Sequence, residues 1–487
     1  MRLLPRSIDQ HTASSHSDTL THLKLLECPQ VDTTEIQFTR HKTFYGIGVC
    51  DSIAFEFPIS LEDLLMHLGR SFRLLIFVAL AALPGVAAGP LPSTKPEAVG
   101  LSQERLDRIR TLVKKHIDAG EISGAVMLVA RKGQIAYLDV QGTMDVDSKK
   151  PMARDSVFRM ASMTKPVIGT SIMMLLEEGK LRLTDPISRF IPEFKNQQTA
   201  VQQGPGAPGA AGARGNVTPN FYTVPAVRDI TIKDLLTHTS GLSSGPMGQS
   251  VVAKEGRRRP EDTLATYLPR VARSPLEFQP GSRWMYSASD GFDVLARVVE
   301  VAAEMPLNQF LKQRIFGPLE MTETSHWPSD AQMPRLVTAY TLTGGKMVKN
   351  ENSMSMSSKV YFAGGGGLVS TADDYAKFAQ MLANGGELNG KRLLSPRTVK
   401  LMSSIHIPAS LPGRTAGEGF GLSVRVIEDA INGNHRVSDG SFGWSGAYGT
   451  HFWVDPKEEI VAVMMIQTPI REMRPEFENA VMQAIIK

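Results

Sequence analysis

Strand-like runs fall in two stretches far apart in this chain, and that distribution limits the folds open to it. Residues 125–130 and 135–140 are rich in apolar and β-branched side chains and are joined by Arg131-Lys-Gly-Gln134, which reads as a hairpin turn. Strand-like runs return at 420–426, 451–454 and 460–466. Between these stretches, apolar residues recur at helical spacing over 164–178, 232–237, 291–303, 307–315 and 371–383. A first helix opens at Ser102 as N-cap, with Glu104 in its first turn and Leu106, Ile109, Leu112, Val113 and Ile117 on one face, and a last helix runs from Pro475. The pattern predicts an α+β architecture: an antiparallel sheet built from both termini and flanked by helices, with a mainly helical lobe inserted between its halves. A cleft is expected where the lobes meet.

Of 487 residues, 42% are hydrophobic and 21% charged, which excludes disordered and fibrous classes. The net charge of +4 is mild and scattered, and the run Arg257-Arg258-Arg259 reads as a solvated loop, so no nucleic-acid partner is expected. Residues 203–216 are rich in Gly, Pro and Ala and read as a flexible surface loop. At 66–88, Arg70 and Arg73 precede an apolar run over 74–83 and then Pro84-Gly-Val-Ala-Ala88, the pattern of a secretory signal peptide and too short for a membrane span. Met66 is placed as a start, which makes 1–65 an expendable extension. The alternative is a genuine N-terminal module with a buried helix at 74–83. Cys28 and Cys50 both lie upstream, so the domain at 89–487 has no cysteine for a disulfide, a thiol nucleophile or a Cys-ligated metal.

Ser162-Met-Thr-Lys165 is the only Ser-x-x-Lys in the chain, though a protein of this size carries about one by chance. Read alone, it is the N-cap serine and surface lysine of an ordinary helix. Its position strengthens it: residues three apart share a helix face, and Pro166 belongs near a helix start. A serine there lies near the positive end of the helix dipole, beside backbone N–H groups that can receive an oxyanion. To accept the serine proton, Lys165 has to be uncharged, which requires poor solvation. Tyr286-Ser-Ala288, ahead of an amphipathic helix, offers a phenol to relay protons, or else a tyrosine of the cleft wall. Gly443-Trp-Ser-Gly-Ala-Tyr-Gly449 leads into a strand and reads either as a glycine-lined approach for an oxyanion-binding N–H or as a tight turn with an aromatic plug.

In that order and at that spacing, the three motifs resemble the serine β-lactamase and penicillin-binding-protein superfamily. Leu235-Leu-Thr-His-Thr-Ser-Gly-Leu242, Ile315-Phe-Gly-Pro-Leu-Glu-Met-Thr322 and Gly364-Gly-Gly-Gly-Leu-Val-Ser-Thr-Ala-Asp-Asp374 extend the likeness from about Ser102 to the C-terminus. The resemblance implies a β-lactamase/transpeptidase-like fold, Ser162 as nucleophile, Lys165 and Tyr286 as its proton-moving partners, and the backbone N–H groups of Ser162 and Ala447 as oxyanion donors. It also puts Trp444, Ser445, Gly446 and Tyr448 on the substrate-binding strand. Class C β-lactamases carry Tyr-x-Asn and Lys-Thr-Gly where this chain has Ala288 and Trp444-Ser-Gly446, so a β-lactam carboxylate loses expected partners. The Trp-x-Gly pattern is similar to that of family VIII carboxylesterases and favours ester cleavage. Trp284, Trp444 and Tyr448 are candidates to wall an apolar acyl pocket.

Other signals are set lower. Gly241-Leu-Ser243-Ser-Gly245 matches the nucleophile elbow of α/β-hydrolases, but it follows a helix-like run where a strand is required. His238 reads as structural, and the remaining histidines show no metal-ligand spacing. Gly364 to Gly367 lacks the Lys-Ser/Thr of a phosphate loop. No cofactor or metal is expected, and the partner is a small ester or β-lactam-like substrate. The rivals are a β-lactamase or D-amino-acid peptidase on the same fold, and a catalytically silent binding protein of the cell envelope. If 66–88 is an export signal to the periplasm or medium, N-terminal sequencing of the secreted protein will begin near Gly89; a chain that retains residues upstream of Pro84 contradicts it.

Overall fold

The computed structural model describes residues 90–204, 220–255, 258–351 and 358–487. The signal-like segment, everything before it, both cysteines, Arg257 and most of the Gly/Pro/Ala stretch lie outside them. The strands of the main sheet are β1 (Gly124–Arg131), β2 (Gln134–Asp145), β3 (Lys150–Pro151), β4 (Glu418–Phe420), β5 (Arg425–Ile427), β6 (Phe442–Ser445), β7 (His451–Asp455) and β8 (Ile460–Met465). Their order is β4-β5-β6-β7-β8-β1-β2-β3, antiparallel throughout. The two ends of the described chain meet where β1 pairs with β8, Val126 opposite Met465.

Every residue of β1 is buried. Val126, Leu128 and Ala130 enter one core, and Ala125, Met127 and Val129 enter another on the opposite face. A strand covered on both faces has no reason to alternate polar with apolar, which explains the unbroken apolar run in its sequence. Lys132 and Gly133 close the β1–β2 hairpin with φ of 53° and 75°, the paired positive angles of a turn whose twist suits the strands.

One face of the sheet carries α1 (Gln103–Asp118), capped by Ser102, whose Oγ accepts from Arg105 N–H at 3.3 Å. The inserted lobe holds α2 (Thr164–Glu177) and α3 (Asp290–Ala303), which pack together, and α4 (Ala372–Ala383) lies on the other sheet face. The last helix, α5 (Met473–Met482), packs beside α1. In α2, residues 164–175 are all buried, as befits a helix that is apolar nearly all round.

The structure corrects several boundaries. The strand expected at 420–426 is a hairpin, β4 and β5, with Gly421 N–H donating to Val424 O at 2.8 Å and Ser423 at φ 75°. The helix expected at 307–315 ends at Leu311 and widens into a looser turn over Lys312–Phe316. Three helices at Pro246–Glu255, Leu264–Val271 and Pro396–Met402 were not expected, nor were two hairpins, Gln198–Gln202 with Phe221–Pro225 and Tyr340–Thr343 with Lys346–Lys349.

Candidate active site

Ser162 sits in a short tight turn, Ala161–Met163, that runs directly into α2. Ala161 before it has φ of 45°, a left-handed conformation that costs a non-glycine residue on the order of 1–3 kcal/mol. Ser162 caps nothing: Met163 is the residue before α2, and no side chain caps it. The turn is held from outside by Tyr375 Oη donating to Met163 O at 2.7 Å and Leu368 N–H donating to Thr164 Oγ1 at 3.1 Å. Gly446 also presses on it, since a Cβ there would lie 2.4 Å from Met160 O.

Lys165, the second residue of α2, is fully buried. Its Nζ lies 3.2 Å from Ser162 Oγ and donates to Ala288 O at 2.7 Å and Gly365 O at 2.6 Å. Tyr286 Oη is 2.7 Å from Ser162 Oγ, so the serine hydroxyl touches both the amine and the phenol. Tyr286, 124 residues on in sequence, thus meets the Ser162–Lys165 pair at the serine oxygen.

His238 holds the Tyr286 loop. Its carbonyl accepts Met285 N–H at 3.0 Å and its Nδ1 accepts Ser287 N–H at 3.2 Å, which grips both neighbours of Tyr286. The ring lies 4.7 Å from the Tyr286 ring and packs on Phe292 and Phe420. Burial holds His238 far below its ordinary pKa, so the neutral ring is free to accept at Nδ1.

Ser162 and Tyr286 face a cavity of about 410 Å³ that Ala161, Gly365, Ala447 and Tyr448, among others, also line. Ala447 N–H has no acceptor among the described residues, while the neighbouring Gly446 N–H is taken up by Thr450 O at 2.7 Å. Of the residues expected along the substrate strand, Tyr448 lines the cavity; Trp444, Ser445 and Gly446 do not. Trp444 packs behind Tyr286 at 5.5 Å and, with Trp284, lines a separate small crevice. Ser445 points to the other side of β6, its Oγ 2.8 Å from His451 Nδ1.

Ser243 of the elbow-like motif is buried outside this cavity, in a loop between Ile232–Leu236 and Pro246–Glu255 with no strand leading into it. The solvated loop expected at the arginine run is corrected at Arg258, which lines the cavity with its guanidinium 4.3 Å over the Tyr361 ring. The glycine run at 364–367 serves close approach: a Cβ on Gly365 would meet Ser289 Cα at 2.7 Å. Asp293 escaped the sequence reading altogether, although an acid among Phe292, Val294 and Leu295 on a buried helix is itself a signal. The hairpin that brings Tyr340 and Thr341 to the cavity was missed too; its signal is Gly344-Gly345, which turn at φ 58° and 79°.

The β-lactamase family model matches residues 109–485. The chain belongs to the β-lactamase family. Protein Rv1367c of Mycobacterium tuberculosis is 35% identical to this family member over 375 residues, 74% of this chain and 90% of that one. Esterase EstB of Burkholderia gladioli is 27% identical over 419 residues, 81% and 98% of the two chains. The solved structure of EstCE1, described as a hydrolase with promiscuous acyltransferase activity, superposes with a TM-score of 0.64 at 28% identity and covers 79% of this chain and 99% of that one.

Behind the site of this β-lactamase-family chain, Asp290 is pushed up to about 6, first by burial and then by the charge of Asp293. The folded state therefore holds this proton more tightly than the unfolded chain, where the group titrates near 3.8. Its stabilising effect is complete below about pH 4 and is lost as pH rises through about 6. Asp290→Asn, which cannot ionise, is expected to raise stability at pH 8 by on the order of 2–3 kcal/mol over the parent, with the gain vanishing towards pH 4. Urea unfolding at the two pH values checks this; an equal difference at both contradicts it.

Proposed function

We propose that this chain is a serine hydrolase that cleaves small carboxylic esters through an acyl-enzyme on Ser162. The observation that carries this reading is the contact of one serine oxygen with both a buried amine and a phenol, at 3.2 and 2.7 Å. Ser162 Oγ bonds to the ester carbonyl carbon as its proton passes to the Lys165–Tyr286 pair, and the same pair protonates the departing alkoxide. The N–H groups of Ser162 and Ala447 receive the oxyanion. Water then attacks the acyl-enzyme, releasing the acid and restoring the serine proton. Both groups touch the same serine oxygen, so the base is assigned to the two together.

Ester over lactam is favoured by two features. The backbone carbonyl of Ala288 holds Lys165, and this residue offers no amide side chain to a substrate. Trp444 lies against Tyr286 and brings no positive charge to the strand. The relative named an esterase and the neighbour described as a hydrolase with acyltransferase activity support the same reading. Export is proposed on the strength of the segment at 66–88; no helix among the described residues is long and apolar enough to cross a membrane.

Ser162→Ala is expected to lower hydrolysis of p-nitrophenyl butyrate by more than about a thousandfold, while Ser243→Ala stays within about threefold of the parent. The parent is expected to cleave this ester faster than nitrocefin or a D-Ala-D-Ala peptide. Equal losses in the two variants contradict the assignment of Ser162, and a faster rate on nitrocefin contradicts the assignment of substrate.

A further inference from the structure

We propose that Asp293 is a positioning residue: it fixes the Gly365 carbonyl and so aims the Lys165 amine at Ser162. This rests on the ester-hydrolase reading, in which that amine accepts the serine proton.

A neutral primary amine has two N–H groups and one lone pair. Lys165 Nζ has three oxygen neighbours, Ala288 O at 2.7 Å, Gly365 O at 2.6 Å and Ser162 Oγ at 3.2 Å. The two carbonyls can only accept. They therefore take both N–H groups of the neutral amine, and the lone pair is left facing the serine hydroxyl. The direction of the base is set by where those two carbonyls point.

Ala288 O is steadied by its place next to α3, where Ser289 O accepts the N–H groups of Phe292 and Asp293 at 3.0 and 3.1 Å. Gly365 has no such support from its own residue type. A glycine peptide rotates more freely than any other, and this one lies in a run of four glycines. Two contacts restrain it. Gly367 N–H donates to Ala363 O at 3.2 Å and closes the turn. Gly365 N–H donates to Asp293 Oδ1 at 2.8 Å, while Tyr361 Oη donates to Asp293 Oδ2 at 2.7 Å. One buried carboxylate thus ties the glycine turn to α3, the helix that follows Tyr286.

The chemistry of this brace is specific. Gly365 N–H and Tyr361 Oη both donate to Asp293, so a carboxylate suits them and an apolar residue of equal size leaves a buried N–H without an acceptor. A carboxylate so deep in the protein is itself unfavourable unless it is hydrogen-bonded. Its place in the wall of the catalytic cavity, one peptide from the carbonyl that holds Lys165, gives a reason for its presence that packing alone does not.

The test compares Asp293→Ala, Asp293→Asn and Tyr361→Phe with the parent and with Ser162→Ala, on p-nitrophenyl butyrate, with kcat and KM resolved and folding followed by circular dichroism. Asp293→Ala is expected to lower kcat by about thirtyfold or more with KM within about threefold. Asp293→Asn keeps an amide oxygen for Gly365 N–H and is expected to recover at least about tenfold of that loss. Tyr361→Phe frees one carboxylate oxygen and is expected to cost about three- to tenfold in kcat. A folded Asp293→Ala protein with unchanged kcat, a loss confined to KM, or an Asn variant no better than Ala overturns the proposal. If Asp293→Ala does not fold, Tyr361→Phe decides: an unchanged kcat overturns the brace and the expected fall supports it. Activity that survives in Ser162→Ala overturns the ester-hydrolase reading instead, whereas an inert Ser162→Ala beside a fully active Asp293→Ala overturns only the role of Asp293.

Discussion

A primary amine cut off from water has to find its partners in the protein, and the site of this chain is organised around how Lys165 does so. Three separate pieces of backbone deliver an oxygen to its nitrogen: the turn before α2, the loop before α3 and the glycine turn at 363–367. None of them is rigid by itself. Each is tied down by a neighbour, Tyr375 for the first, His238 on the Tyr286 side of the second, and Asp293 for the third. The chemistry proposed for Ser162 rests on that mutual restraint more than on any single residue, because a serine at the same place with a solvated amine beside it is an unremarkable hydroxyl.

The sheet supplies the frame. Pairing of β1 with β8 joins the two ends of the described chain, and the lobe carrying α2 and α3 is held between them. Strand alternation then gives β6 two jobs. Trp444 faces Tyr286 on one side, while Ser445 on the other reaches His451, which lies 3.4 Å from the buried Glu478 of α5. Arg425 of β5 meets the same carboxylate at 3.3 Å. The strand that leads to Ala447 and Tyr448 is thus backed by a buried ionic cluster, which is strongly destabilised if one member is removed and so resists local displacement.

Much of this was legible in the residues because it rests on local rules. The two-ended distribution of strands led to the sheet built from both ends, and Ser102, the Lys132-Gly133 turn and Pro166 marked element starts and turns by their own conformational preferences. Ser162, Lys165 and Tyr286 stood out as motifs. What stayed hidden depends on distant partners. Arg258 turns to the cavity, half-buried with its guanidinium over the Tyr361 ring, and 420–426 becomes a hairpin through the left-handed turn at Ser423. Trp444 and Gly446 were assigned to substrate, yet their places are set by Tyr286 and Met160, which packing alone reveals. Asp293 was hidden for the same reason: its value lies in one glycine N–H that comes from 72 residues away.

The central claim is that Ser162 is made reactive by a buried amine. Brief exposure of the folded protein to a fluorophosphonate, followed by peptide mapping in a mass spectrometer, tests it most directly. The account predicts one adduct, on Ser162, formed quickly in the parent and at least about a hundredfold more slowly in Lys165→Ala. An adduct on Ser243, or labelling of Ser162 at the same rate without the amine, would contradict it.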